Sequence, residues 1–119
     1  MFAELAERYI AAWNETDPDA RRRAVDDLYT EDVRFVDPLA VAEGRAAVTA
    51  TMAAVHQQFP GLQFRLAGPV DGHHDLFRFA WEAGPAGEPA PIAGFDVAVT
   101  DGAGRLRSVL GFLDRVPAS

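Results

Sequence analysis

The chain has 119 residues, no cysteine and a formal net charge of −7. That length supports one domain with its own hydrophobic core, and an apolar share of 49% rules out a disordered chain. Without cysteine there is no disulfide, thiol nucleophile or thiolate metal ligand, and the acidic balance has the wrong sign for a nucleic-acid backbone.

Residues 2–15 carry a helical pattern. Phe2, Leu5, Tyr9, Ala12 and Trp13 recur at three- and four-residue spacings, with Glu4, Glu7, Arg8 and Glu15 off that face. Met1 to Glu4 shows no basic segment leading into an apolar run, so no secretory leader is expected. No apolar stretch approaches bilayer-spanning length, and the expected location is the cytoplasm. Asp17 is a plausible N-cap for a second helix over 18–29, with Pro18 at its first position. Arg21-Arg22-Arg23 is the only basic cluster. Asp17, Asp19, Asp26 and Asp27 surround it, and it reads as a solvated helix face. All 11 basic side chains are Arg, which fits the coding bias of a GC-rich bacterial genome.

Thr30-Glu31-Asp32 reads as a turn and Val33–Val36 as a short strand that Asp37-Pro38 stops. Residues 39–43 read as a loop. A third helix is expected over 45–59, with Val48, Met52, Val55 and Phe59 on one side and Pro60-Gly61 as its stop. The period then changes to two. Leu62, Phe64 and Leu66 form one strand, Asp71–Asp75 a hairpin turn, and Phe77, Phe79 and Trp81 the next strand. After a Gly/Pro loop over 84–89, a strand is expected over 90–100. A turn over 101–104 and a last strand over 105–114 follow. Helices segregate from strands, so the class is α+β. There are no internal repeats, and residues 1–119 read as a single domain.

Three polar residues stand where the pattern calls for core. On the strand carrying Asp96, the same face holds Ile92, Gly94, Ala98 and Thr100, so small residues surround one acid and leave room for a cavity. A buried carboxyl without a cation has its pKa raised and becomes a donor when protonated; the alternative is an ion pair with Arg78 or Arg107. Asp37 is placed in extended backbone by Pro38, which either aims its carboxylate at a site or merely opens a turn. Tyr9 sits among Leu5, Ala12 and Trp13, as a core tyrosine with a satisfied hydroxyl or as a donor into a cavity. Together they supply a base and two neutral donors, the set needed to remove a proton beside a carbonyl. His56 at the edge of the third helix is either a packing residue or a second acid–base group. His73 and His74 are expected to be exposed turn residues. No histidine–carboxylate spacing suits a metal, and no cofactor is called for.

Arg8-Tyr9-Ile10-Ala11-Ala12-Trp13-Asn14, the run from Thr30 to Pro38, and Pro91-Ile92 with Asp96 ahead of Gly102-Ala103-Gly104 resemble the NTF2-like superfamily. Within it they resemble the SnoaL-like and ketosteroid-isomerase-like proteins, over nearly the whole chain. The resemblance implies a cone-shaped NTF2-like (cystatin-like) fold, with three N-terminal helices packed on a curved mixed or antiparallel sheet. It implies Asp37 as base, Tyr9 as oxyanion donor and Asp96 as neutral donor, in the electrostatic arrangement of that isomerase. A hydrophobic carbonyl compound would then be enolised for isomerisation or ring closure. Trp13, Phe35, Met52, His56, Phe79 and Trp81 are the candidate substrate-binding residues, and a homodimer is expected. A non-catalytic binder of an apolar metabolite and a filled-cone structural dimer are the competing readings.

Overall fold

The computed structural model describes residues 2–117. Its elements are α1 (Phe2–Asn14), α2 (Pro18–Leu28), β1 (Tyr29–Val36), β2 (Val41–Glu43), α3 (Arg45–Gln58), β3 (Leu62–Leu66), β4 (Asp71–His73), β5 (Leu76–Pro85), β6 (Ile92–Thr100) and β7 (Leu106–Arg115). Three helices pack on one curved mixed sheet of order β2-β1-β7-β6-β5-β3, with β4 paired to β5. The β3–β5–β6–β7 run is antiparallel, as the alternating pattern indicates. β1 returns from the helical half to pair parallel with β7. Register shifts between Tyr29 and Arg34, between Ala93 and Gly94, and between Val99 and Thr100 bend the strands that wrap the helices.

Local chemistry explains most boundaries. Asp17 Oδ2 accepts the Ala20 N–H at 2.9 Å, capping α2 ahead of Pro18. Gly44 precedes α3 with φ of +89°, a left-handed turn that glycine adopts without a side-chain clash. α1 ends on the sheet edge. Asn14 Nδ2 donates to the Phe64 carbonyl at 2.8 Å, and its Oδ1 accepts the Phe64 N–H at 2.7 Å, so one amide side chain occupies the open edge of β3.

Three segments differ from the sequence expectation. Thr30–Asp32 is not a turn, because β1 begins at Tyr29; the irregular pairing with β7 over these polar residues hides the strand's period. The loop expected over 39–43 contains β2, paired antiparallel with Phe35 opposite Ala42. Asp71–His73 is a strand against β5, so the turn shrinks to His74 and Asp75, with His74 at φ +53°. Arg21 also departs from the solvated-face reading. It is only 5% exposed, whereas Arg22 and Arg23 are exposed.

The core joins the α1 face (Leu5, Tyr9, Trp13) to Val25, Leu28, Val48 and Met52 from α2 and α3, and to Phe77, Phe79, Ala98 and Val109 from the sheet. Each large apolar side chain fully buried here contributes roughly 1.5–3 kcal/mol. The packing closes one end of the wrap and leaves the other end open.

Candidate active site

Three adjacent strands set the acids side by side. Asp37 follows β1 directly. Val36 pairs with Leu110 of β7, so Asp37 falls next to Gly111; Gly111 pairs in turn with Asp96 of β6. Gly111 separates the two acids and makes room for both. A Cβ at Gly111 would lie 2.6 Å from Asp96 Oδ1 and 3.3 Å from Asp37 Cβ. Gly94 does the same for the indole of Trp81. A Cβ there would lie 2.8 Å from Trp81 Cζ2 and against the Phe112 carbonyl.

Asp37 Oδ1 accepts the N–H groups of Leu39 and Ala40 at 2.9 and 2.8 Å, and the Asp37 N–H donates to the Ala40 carbonyl. The Asp-Pro turn is therefore real and locally paired. It fixes the carboxylate at the cavity wall, with Oδ2 free of protein partners among the described residues. Asp96 is 4% exposed. The arginines that might have paired with it are engaged elsewhere, Arg78 with Asp71 and Arg107 with Asp75. Burial pushes the Asp96 carboxyl up to about 6. The Tyr9 hydroxyl and the Trp81 indole N–H pull it partly back, and the Asp37 charge adds to the rise. Burial, with the Asp96 charge and Tyr29 behind it, holds the Tyr9 hydroxyl well above the ordinary phenol range, so Tyr9 stays a donor. Trp81 Nε1 approaches Asp96 and Trp13 Nε1 approaches the phenols of Tyr9 and Tyr29. Both indole N–H groups are buried and neither completes a well-aligned hydrogen bond.

These groups open into a cavity of about 530 Å³. Tyr9, Asp37 and Asp96 all line it, with Trp13, Phe35 and Trp81. The aromatic wall is continuous. Trp13 lies 5.8 Å from Phe35 and 5.3 Å from Phe64, and Phe64 lies 5.5 Å from Trp81, centroid to centroid. No Arg, Lys or His lines the cavity. Among the described residues no cluster of His, Cys, Asp and Glu has metal-site geometry.

Three candidate binding residues lie off this cavity. Met52 is wholly buried in the core. Phe79 is opposite Asp96 in register, but it sits deeper and packs edge-on under Tyr9 at 5.1 Å. His56 lines the groove between α2 and α3 instead, and its Nε2 bonds the Trp13 carbonyl. Helical and strand periods choose a face, but not the depth at which core gives way to cavity. Gly111, beside both acids, and Phe64, in the cavity wall, are part of the candidate site and are not among the residues that the sequence pattern singles out. A glycine at an inward position of the last strand was the available signal for the first.

The sequence profile of the SnoaL-like domain matches residues 6–109. The chain belongs to the SnoaL-like family. A solved SnoaL-like protein from Agrobacterium tumefaciens, provisionally called an isomerase, is 40% identical over 95% of this chain and 97% of its own, with a TM-score of 0.91. Two more distant structures share the fold. A protein from Sinorhizobium meliloti, provisionally called a polyketide cyclase, is 14% identical (TM-score 0.72, covering 91% of this chain and 93% of its own). A SnoaL-like protein of unknown function from Burkholderia thailandensis is 17% identical (TM-score 0.74, covering 94% and 93%). No curated protein matches the chain. In this SnoaL-like protein, as the sequence indicates, an α+β cone of three helices on a curved mixed sheet carries the candidate site.

Proposed function

We propose that the protein binds a hydrophobic, carbonyl-containing small molecule in the 530 Å³ cavity and enolises it for isomerisation or ring closure. The observation that carries this reading is the row Asp37–Gly111–Asp96 beneath Tyr9, at the wall of an aromatic cavity without a cation. Asp37 removes a proton from the carbon beside the carbonyl. The C–H electron pair becomes a C=C bond, and the carbonyl π pair moves to oxygen. Tyr9 and protonated Asp96 donate to that oxygen. Asp37 then returns its proton to another carbon, which isomerises the substrate. In ring closure the enolate carbon instead attacks a second carbonyl of the same molecule, whose π pair moves to its oxygen, and that oxygen takes the proton held by Asp37. Electrons balance without a redox partner, because the substrate carbonyl is the electron sink.

Asp96 must be neutral to donate. With a pKa of about 6 it is protonated in roughly one molecule in ten at pH 7. An enolate seated beside it, with water expelled, raises that value further, so oxyanion binding takes up a proton at Asp96.

The protein is also proposed to act as a homodimer through the outer sheet face. There Phe95 and Phe112 stack at 5.0 Å, and Phe112 is 53% exposed.

The direct test is titration with a naphthol, a mimic of the enolate, followed by absorbance. The ligand is expected to bind as the phenolate, and Tyr9→Phe and Asp96→Ala are each expected to weaken it by about tenfold or more. Binding as neutral naphthol, or binding indifferent to both substitutions, overturns the oxyanion site and leaves a non-catalytic binder. With a turned-over carbonyl substrate, Asp37→Asn should abolish activity and leave the fold intact. Retained turnover in the folded variant removes Asp37 as the base.

A further inference from the structure

We propose a second site, for a small phosphorylated molecule, in the groove between α2 and α3. The groove encloses about 740 Å³ and shares no lining residue with the aromatic cavity. Arg21, Arg22 and Arg45 line it, with Asp26 as its one acid. The lining therefore carries two net positive charges in a chain of net charge −7.

Two of these arginines are set rigidly. Arg21 Nε and Nη2 both donate to the Glu15 carbonyl, at 3.1 and 2.8 Å. Arg45 Nε and Nη2 both donate to the Tyr29 carbonyl, at 2.9 and 2.7 Å. Each guanidinium keeps Nη1 without a protein partner, and neither lies within 4.0 Å of a carboxylate among the described residues. Arg21 is 95% buried, because only 5% of its surface is exposed. A backbone carbonyl satisfies its hydrogen bonds but supplies no countercharge, so the buried cation lacks compensation. Arg22 adds a third guanidinium at the rim, held only by a 3.7 Å contact to Asp19 in which both side chains are exposed.

A phosphoryl group fits this arrangement. Its oxygens accept from the Nη1 groups that the carbonyl grips leave over, and its charge is what Arg21 lacks. Both guanidiniums are already oriented by their carbonyl grips, so binding at Nη1 costs little side-chain entropy. The volume falls within the roughly 300–1,000 Å³ typical of small-molecule sites, which leaves space for an organic group beside the phosphate. Size also sets an upper limit. A long polyanion would meet the acidic remainder of the surface, whereas a small anion feels mainly the charges within a Debye length of about 8 Å.

Pyrophosphate is the probe, measured by titration calorimetry with ionic strength held constant by chloride. Saturable one-site binding is expected. Ala50→Glu places a carboxylate on the exposed groove wall and removes none of the structural grips; it should weaken binding by about tenfold or more. Arg22→Gln should weaken it in the same direction. Arg34→Gln, which removes an exposed cation on β1 whose partner is Glu43, should leave it unchanged. Absence of saturable binding in the wild type overturns the proposal. So does equal weakening by Arg34→Gln and Arg22→Gln, which identifies diffuse attraction rather than a site.

Discussion

Replacing Asp96 by asparagine tests the electrostatics of the cavity without any substrate. The carboxyl has a pKa of about 6 in the folded protein against 3.8 for a freely solvated aspartate, with burial as the main cause. Between those two pH values the folded state holds the proton more tightly than the unfolded chain. The stability linked to Asp96 is therefore full below about pH 3.8, declines as the pH rises towards 6, and is gone above it. A difference of about two units at 1.36 kcal/mol each gives a loss of about 3 kcal/mol. For a domain of this size that corresponds to ~10 °C in Tm. Asparagine keeps the shape and cannot ionise, so Asp96→Asn should escape the loss. Urea and thermal unfolding of both proteins from pH 4 to pH 8 isolate this group, because every other carboxylate titrates in both. Their stability difference should shift by about 3 kcal/mol in favour of the variant between pH 4 and pH 7. A pH-independent difference would refute the reasoning, since it would mean that Asp96 ionises in the cavity as easily as in water.

Two further substitutions follow from the same geometry. Gly111→Ala places a methyl group 2.6 Å from Asp96 Oδ1 and against Asp37, so it should displace the acids and weaken naphthol binding by about tenfold, with the fold retained by circular dichroism; unchanged binding would show that the row of acids does not bind the ligand. Leu110→Glu puts a charge on the outer sheet face opposite Val97 and should convert the proposed dimer to single 12.9 kDa chains in sedimentation velocity; a wild type that sediments as a single chain removes the dimer, and a variant that sediments as a dimer would place the interface elsewhere.

The sequence pointed to the candidate cavity where chemistry and period disagree. Asp96 on a face of small residues, Asp37 ahead of a proline and Tyr9 on an apolar helix face each broke the local pattern, and all three line one cavity. It carried less where a long-range pairing decides. The parallel contact of β1 with β7 sets Asp37 beside Gly111, and nothing local to either strand encodes it. The same pairing extended β1 through Thr30–Asp32, three polar residues that read as a turn in isolation. Arg21 differs for a related reason. Charge patterning alone puts the arginine triplet in solvent, whereas the helical turn points its first member inward at the Glu15 carbonyl. Met52, Phe79 and His56 show the limit of periodicity, because each lies on or near the expected face and outside the cavity.

The cavity's composition also constrains the chemistry. Two carboxyls at one wall, with no guanidinium, ammonium or imidazole beside them, disfavour an anionic substrate from the start. A neutral substrate enters without that cost, and charge appears only when its proton leaves. On the proposed reading the proton moves to Asp37, so the negative charge passes from that carboxylate to the substrate oxygen and the total is conserved. The donors at that oxygen need only be better placed for the new charge than for the old. Tyr9 meets that need, because burial keeps its hydroxyl protonated through the neutral range. Asp96 meets it only after taking a proton from solvent. Catalysis through this site should therefore decline as the pH rises above the Asp96 pKa in the occupied cavity, on the alkaline side of about 6. Asp96→Asn, which donates without titrating, should lose that alkaline limb while retaining part of the rate. If the limb persists in the variant, the proton that controls the reaction belongs to another group.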